Sequence, residues 1–454
     1  MDPSRIAFLF PAFPVLHQTF VLWEVLALRR LGVAIDLYSI KQPSTSTQQP
    51  EGRELAREVH YLPLLSAEVL RANWQVLRRD PRRYVGVWAR LTREWWRDRN
   101  AGSGWRKKTI ASDAPERELT LREVLHGRFN RNRYLYLLKS LALIPQAVYL
   151  GTVLERDGVR RLHAHWASYP ATMAMVVGWV FDIPFSFTAH AYDIYMVPYL
   201  LRSKVNEAEF VVTCAKVNAS YLEGLAGESQ PHRVIVNYHG VSLDRFKPLP
   251  RPESANRQRC IVTCGRLEPY KGHHVLLQAC ARLGADVRCI VVGEGPQRQR
   301  LEQLAAQLGI ADRVEFTGPL PQAELAKRYA EADVFVLASV VLERSGKRDV
   351  IPNVLAEAMA MRLPVVATAI SGIGELVADG STGRLVAPND PVALAAVLTE
   401  LFSDDAQRER LAAAGQRFVA EQFDREINIQ ELAALFLGEV GGGAVPSPAS
   451  AART

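Results

Sequence analysis

The strongest constraint on how this chain can fold is a rhythm that occurs twice, in which short apolar runs alternate with helix-like segments. In the first half the runs are Ile6 to Phe10, Ala34 to Ser39, Arg161 to Trp166, Phe185 to Thr188, Glu209 to Thr213 and Arg233 to Asn237. In the second they are Arg259 to Cys264, Val287 to Val292, Arg313 to Thr317, Asp333 to Leu337 and Pro364 to Thr368. Apolar runs this short, bounded by turns and separated by helical patterns, read as strands of parallel sheets, because a parallel pair needs a crossover between its members. Two such series predict an α/β chain with two Rossmann-like domains. The length of 454 residues is long for one domain, and a 48% hydrophobic content is enough for two cores.

The stretch FKPLPRPESANRQR, Phe246 to Arg259, has three prolines in five positions and little apolar content, so it reads as a linker. The expected organisation is an N-terminal domain over 1–245, a linker over 246–258, a C-terminal domain over 259–420, a helix over 421–439, and a disordered tail over 440–454 rich in Gly, Ala, Ser and Pro. Ligands of open parallel sheets bind beyond the carboxyl ends of the strands. Arg266, Lys271, Gly293 and His190 all follow predicted strands.

Two blocks carry recognisable chemistry. In DVIPNVLAEAMAMRLPVVATAISGIGELV, Asp349 to Val377, Pro352 can open a helix, because its missing N–H is one of the donors a first turn leaves unpaired. The amides of Asn353 and Val354, at the positive end of that helix, can then face an anion. Glu357, a turn further on, can accept hydrogen bonds from ribose hydroxyls, and Asp349 from those of a sugar. The alternative is that Glu357 only complements the helix dipole and Asp349 is solvated. In TCGRLEPYKGHHVLLQAC, Thr263 to Cys280, Arg266 and Lys271 bracket a turn where two cations can converge on a diphosphate. VVGEGP, Val291 to Pro296, lies between the two blocks.

In order, GRLEPYKG, VVGEGP, VEFTGPL (Val314 to Leu320), ADVFVLAS (Ala332 to Ser339) and the Asp349 block resemble the family-4 retaining glycosyltransferases, over roughly residues 233 to 420. Looser matches lie in FPAFPVLHQTFVLWEVLALRRLG (Phe10 to Gly32), LHAHWASYPAT (Leu162 to Thr172) and FSFTAHAYDIY (Phe185 to Tyr195). The details look most like the bacterial exopolysaccharide and colanic-acid branch. The resemblance implies the GT-B fold, two Rossmann-like domains whose parallel sheets face an interdomain cleft. It also implies transfer of a sugar, with retention, from a nucleotide sugar to a saccharide or lipid-linked saccharide in envelope or exopolysaccharide synthesis. Carried over residue by residue, it assigns Arg266 and Lys271 to the diphosphate, Asp349 to the donor sugar and Glu357 to ribose. It assigns the backbone near Asn353 and Val354, with Gly293 and Gly295, to the donor, and His190 to the neighbourhood of the anomeric centre. The family signature of Glu, seven residues, Glu begins with Asp349 here, one methylene shorter, which bears on its reach to the sugar. His163 and His165 are read as pointing to opposite faces of their strand, so neither is counted as catalytic.

No Asp-x-Asp motif sits beside a predicted strand, and the GT-B group generally works without a bound divalent ion. The expectation is therefore no metal and no cofactor beyond the donor. Two other readings share the residues: a nucleotide-sugar epimerase acting without an acceptor, and a non-catalytic module that binds a nucleotide sugar or a membrane.

Residues 66–133 break the alternation. They hold 17 Lys or Arg against 8 Asp or Glu, an excess larger than the net +7 of the whole chain, together with Trp74, Trp88, Trp95, Trp96 and Trp105. Basic helices with aromatic anchors suit an anionic membrane surface. The same aromatics can instead pack the insertion onto its own domain. A partner nucleic acid is not expected, since no recognised motif accompanies the charge. The window Leu135 to Val153 contains Lys139, Pro145 and Gln146 and falls short of a membrane span, while Pro11 and Pro14 interrupt the first apolar run and argue against a signal peptide. Five cysteines, an odd number set in apolar runs, read as reduced core residues. The expected location is the cytoplasm, with peripheral contact on the inner face of the membrane.

Overall fold

A computed structural model describes residues 5–15, 19–43, 50–98, 132–226, 234–250, 258–342 and 346–438. The expected tail, Trp105 and the linker residues 251–257 lie outside these. The chain forms two compact units. The first comprises the described residues up to Asn237 together with those from Ile429, and the second runs from Tyr238 to Asn428.

Each unit is built on one parallel sheet. In the first, β1 (Ile6–Ala12), β2 (Ile35–Lys41), β3 (His60–Tyr61), β4 (Arg161–His165), β5 (Phe185–Ala189), β6 (Val211–Thr213) and β7 (Val234–Val236) lie in the order β3-β2-β1-β4-β5-β6-β7. The second orders β8 (Arg259–Cys264), β9 (Val287–Val292), β10 (Val314–Gly318), β11 (Val334–Leu337), β12 (Val365–Thr368) and β13 (Arg384–Val386) as β10-β9-β8-β11-β12-β13. All these pairings are parallel. Both faces of such a sheet are covered by crossover helices, so the strands read as continuous apolar runs, not as alternating ones. FSFTA of β5 and VFVL of β11 are buried at every position. Each order reverses once, at β1/β4 and at β8/β11, and loops diverge there to leave a crevice at the strands' carboxyl ends. This is the two-domain plan of the GT-B fold.

Of the basic insertion, residues 66–98 form a helical hairpin, and a broken pair of helices begins at Arg133. Ser66 caps the helix Ala67–Arg79 by accepting from the Val69 N–H at 3.2 Å. Asp80 ends that helix and caps the next, Pro81–Arg97, accepting from the Arg83 N–H at 2.9 Å, while Pro81 supplies a helical first residue. Val69, Ala72 and Val76 from one helix, and Val87, Leu91 and Trp95 from the other, form its buried stripe. Asn73 donates to the Pro145 carbonyl at 2.9 Å and so ties the hairpin to the domain. The window Leu135 to Val153 folds as Arg133–Ala142 and Ile144–Asp157, bent by 42°. No single helix among the described residues is long and apolar enough to cross a membrane.

Two expected boundaries move. The linker was placed from Phe246, but Phe246 is buried against Tyr329 in the second unit's core, and the division falls at Asn237/Tyr238. The last helix, Arg425–Leu437, was expected to stand apart. Its residues from Ile429 belong to the first unit, where Leu432, Ala433 and Phe436 pack with Phe8 and Val212. The Phe436 ring lies 5.2 Å from that of Phe8, and Arg161 donates to the Phe436 carbonyl at 3.0 Å. Phe436→Ala should therefore lower the first unit's stability by about 3–5 kcal/mol in urea unfolding. A loss below about 1 kcal/mol, within the range of exposed positions, would place the helix outside that core.

Candidate active site

In the second unit the reversal at β8/β11 brings together the loop after β8, residues 265–272, and the described residues after β11, 338–342 and 346–352. The two touch through backbone, with the Val340 N–H donating to the Tyr270 carbonyl at 2.8 Å. Gly272 has φ +68°, and a Cβ there would sit 1.7 Å from the Ala338 carbonyl oxygen, so only glycine fits this approach. Gly293 and Gly295, expected at the donor, lie against the same loop from the β9 side. A Cβ on Gly293 would meet the Gly265 carbonyl at 2.0 Å, and one on Gly295 the Leu267 backbone at 2.7 Å.

The approach sets Lys271 beside Asp349. Lys271 Nζ donates to Asp349 Oδ1 at 2.8 Å, with the side chains only 12% and 11% exposed. Ser339 Oγ donates to Asp349 Oδ2 at 2.6 Å, and Thr368 holds the Ser339 carbonyl at 2.5 Å. Burial disfavours the Lys271 ammonium, but Asp349 more than offsets it and raises its pKa above the ordinary lysine value. Removing one member of a buried pair costs about 3–5 kcal/mol, because the other charge is left uncompensated. Arg266 remains 65% exposed and contacts Glu268 at 3.4 Å, and Glu268 also pairs with Lys347 at 3.1 Å. Lys271 and Lys347 both lie over the Tyr270 ring, at 5.5 and 4.6 Å. Cations thus gather on one edge of the sheet, where an anion is stabilised.

The helix Asn353–Ala360 starts one residue later than expected. Pro352 is extended, with ψ 122°, and occupies the capping position. Asn353 is exposed, Val354 packs against the core, and Glu357 lies in the second turn. Glu357 Oε2 accepts from the Tyr329 hydroxyl at 3.3 Å. Burial raises its pKa to about 7, and Tyr329 opposes the rise. Burial, with Glu357 close by, pushes the Cys264 thiol up to about 12. Burial and Lys271 hold His273 down to about 3, hence neutral. Ser339, Tyr329 and His273 were not singled out from sequence. Ser339 does end the ADVFVLAS motif, a signal that could have found it.

His190 belongs to the first unit and sits just past β5. Its N–H donates to Asp193 Oδ1 at 2.8 Å, and the other carboxylate oxygen accepts from the Ala167 N–H. Asp193 is fully buried, which raises its pKa to about 7 against these donors. Lys204, also fully buried and lowered to about 7 by that burial, donates to the carbonyls of Ala167 at 2.6 Å, Ser168 at 3.1 Å and Tyr199 at 3.0 Å. Between them they fix the turn after β4, where Trp166 takes φ 76°, a conformation costly for a bulky residue. The His190 ring lies 5.0 Å from Trp166 and 5.5 Å from Phe20, on the β1 and β4 side of the reversal.

His163 and His165 do not point to opposite faces. Residues two apart in a strand share a face, and both rings pack on Phe8, at 4.9 and 5.9 Å. His163 bridges Ser186 at 2.8 Å and Thr188 at 3.0 Å, and burial keeps it neutral. His165 contacts Glu24 at 2.9 Å. Both are wholly buried.

Residues 246–418 match the family described as Glycosyl transferases group 1. A Salmonella typhimurium protein assigned to colanic acid biosynthesis as the glycosyltransferase WcaL is 35% identical over 211 residues, 45% of this chain and 51% of its own. The GDP-mannose-dependent alpha-(1-6)-phosphatidylinositol monomannoside mannosyltransferase of Mycolicibacterium smegmatis is 29% identical over 65% of this chain and 75% of its own. The chain spans about half the length of most of the curated relatives it matches. Among solved structures, Anabaena Alr3699/HepE in complex with UDP superimposes with a TM-score of 0.64 at 16% identity, covering 96% of this chain and 100% of that one.

The raised Glu357 pKa has a direct consequence. A folded-state pKa near 7 means that the native protein binds a proton there that the unfolded chain has already released, so stability falls as pH rises from about 4.5 to about 7. Glu357→Gln should melt at a higher temperature than the parent at pH 8, with the gap closing by pH 5. An equal gap at both pH values would show that Glu357 is not held protonated by the fold.

Proposed function

We propose, taking residues 246–418 as a glycosyl transferases group 1 domain, that the chain moves a sugar from a nucleotide-sugar donor to a saccharide or lipid-linked saccharide acceptor. The observation that carries this reading is the basic edge of the second sheet, where Lys271 is held by Asp349 beside Arg266 and the amide end of the helix Asn353–Ala360. A departing diphosphate accumulates charge as the anomeric bond breaks, and fixed donors already aimed at it stabilise that charge without reorganising. Lys271 and Arg266 take the diphosphate, with backbone near Gly293, Gly295, Asn353 and Val354 lining it. Glu357, once ionised, accepts from the ribose, so donor affinity strengthens as pH rises through about 7. Asp349 orients Lys271 and presents its remaining lone pairs to the donor sugar. His190, in the first unit, is the residue proposed there for the transfer step.

Transfer proceeds with retention and without a bound metal, the two cations serving in the metal's place. No side chain is assigned as a covalent nucleophile, and the donor phosphate assists removal of the acceptor proton. The process served is envelope or exopolysaccharide assembly on the cytoplasmic side, in keeping with the WcaL relative. The mycobacterial relative is named for GDP-mannose and the Anabaena structure holds UDP, so both nucleotides belong in the first screen.

Thermal shift against UDP-, GDP-, ADP- and dTDP-sugars, with and without EDTA, selects the donor, since a ligand of the folded state raises apparent stability. Product analysis with that donor then tests the reaction. A glycosylated acceptor supports transfer, a new nucleotide sugar formed without acceptor would make the protein an isomerase, and binding with no turnover would make it a binding module. Lys271→Ala should lower turnover roughly 100-fold, the size of one lost transition-state contact. Near-normal turnover would sink the assignment.

A further inference from the structure

We infer that the outer face of the helical hairpin and of the helix after it is a docking surface for an anionic lipid membrane. Thirteen large hydrophobic side chains are exposed among the described residues, and eight of them fall between positions 64 and 138. That concentration is far above what scattered exposure produces. Leu70 and Trp74 stand one turn apart on Ala67–Arg79, Val85 and Trp96 share a stripe of Pro81–Arg97, and Tyr134 and Leu138 stand one turn apart on Arg133–Ala142. The loop before the hairpin adds Leu64 and Leu65, the latter 79% exposed.

The same helices bury their opposite stripes, so the exposed residues are not a poorly packed core. Trp95 is buried and carries the Arg133 guanidinium 4.8 Å over its ring, whereas its neighbour Trp96 points out at 58% exposure. Packing onto the domain thus accounts for Trp95 and leaves Trp96 on the open face. Trp88 and Trp96 line a shallow concavity together with Arg93 and Arg97.

Charge selects the occupant. Arg71, Arg78, Arg82 and Arg93 are exposed on the hairpin and make no ion pair among the described residues, while Arg79, Arg90 and Arg97 are paired with Glu155, Glu207 and Glu94. A surface that mixes unpaired guanidinium groups with exposed Leu and Trp matches the boundary between anionic headgroups and acyl chains, where each cation and each inserted ring adds to binding. A nucleic acid would use the cations and leave the leucines in water. The inference does not rest on the transfer reading, because vesicle binding is measured with neither donor nor acceptor.

The test is flotation of the full chain with vesicles of phosphatidylcholine alone and with about 30% phosphatidylglycerol, at about 0.1 and 0.5 M salt. Binding should require phosphatidylglycerol and weaken in high salt. Trp74→Ser/Trp96→Ser and Arg71→Gln/Arg78→Gln/Arg82→Gln should each lower the bound fraction about tenfold with unchanged melting temperature, as exposed sites allow. No binding by the parent, or equal binding by parent and both variants, would overturn the proposal. Two further results would also overturn it: a parent dimer in light scattering that the tryptophan variant dissolves, which would give the face to a second copy, or a short DNA duplex that binds more tightly than the vesicles and is lost only in the arginine variant.

Discussion

The second unit depends on how closely two loop backbones approach where its strand order reverses. Gly272 lets the loop after β8 lie on the Ala338 carbonyl, and the next contact along, from the Val340 N–H to Tyr270, locks the two segments together. Lys271 is thereby carried into a largely buried position, where an isolated ammonium is costly. Asp349, fixed by Ser339, compensates it. The pair is a weak source of net stability, because the desolvation of both charges offsets most of their attraction. Its value is positional, since it holds a cation rigidly at the carboxyl end of the sheet, which on the proposed function gives a diphosphate a donor that does not have to reorganise.

The first unit solves a parallel problem with backbone groups in place of a direct ion pair. Asp193 takes two N–H donors and Lys204 takes three carbonyls, so the turn after β4 is fixed from both sides. That over-determination is what allows Trp166 its unfavourable φ and sets its ring beside His190. In both units the regular strands provide rigidity and the loops at their carboxyl ends carry the candidate residues.

Much of this was legible in the sequence, and the failures have physical causes. All eleven apolar runs became strands, most of them because a strand buried on both faces must be continuously apolar, although the edge strands β7 and β10 are only partly buried. The two missed strands are His60–Tyr61, only two residues and polar at its first, and Arg384–Val386, a three-residue edge strand opened by a charged residue. The last helix read as an appendage, since nothing local shows that Phe436 is covered by Phe8, some 400 residues away in the chain. Lys271 and Asp349, singled out by residue type and position, meet in the structure, and Glu357 lies buried against Tyr329. Ser339 and Tyr329 were missed because they act by holding those residues, a relation that only tertiary contact reveals. Trp95 and Trp96 are identical in type and adjacent, and only the helix phase decides that one is core and the other surface.

The most direct test of the account is a crystal structure of the protein with a bound nucleoside diphosphate. The account places the β-phosphate at the basic edge of the second sheet, with Lys271 Nζ within about 3 Å of a phosphate oxygen, the distance of a charge-assisted hydrogen bond, and with the ribose on Glu357. A diphosphate bound elsewhere, with the pair between Lys271 and Asp349 undisturbed and Glu357 still engaged only with Tyr329, would contradict it.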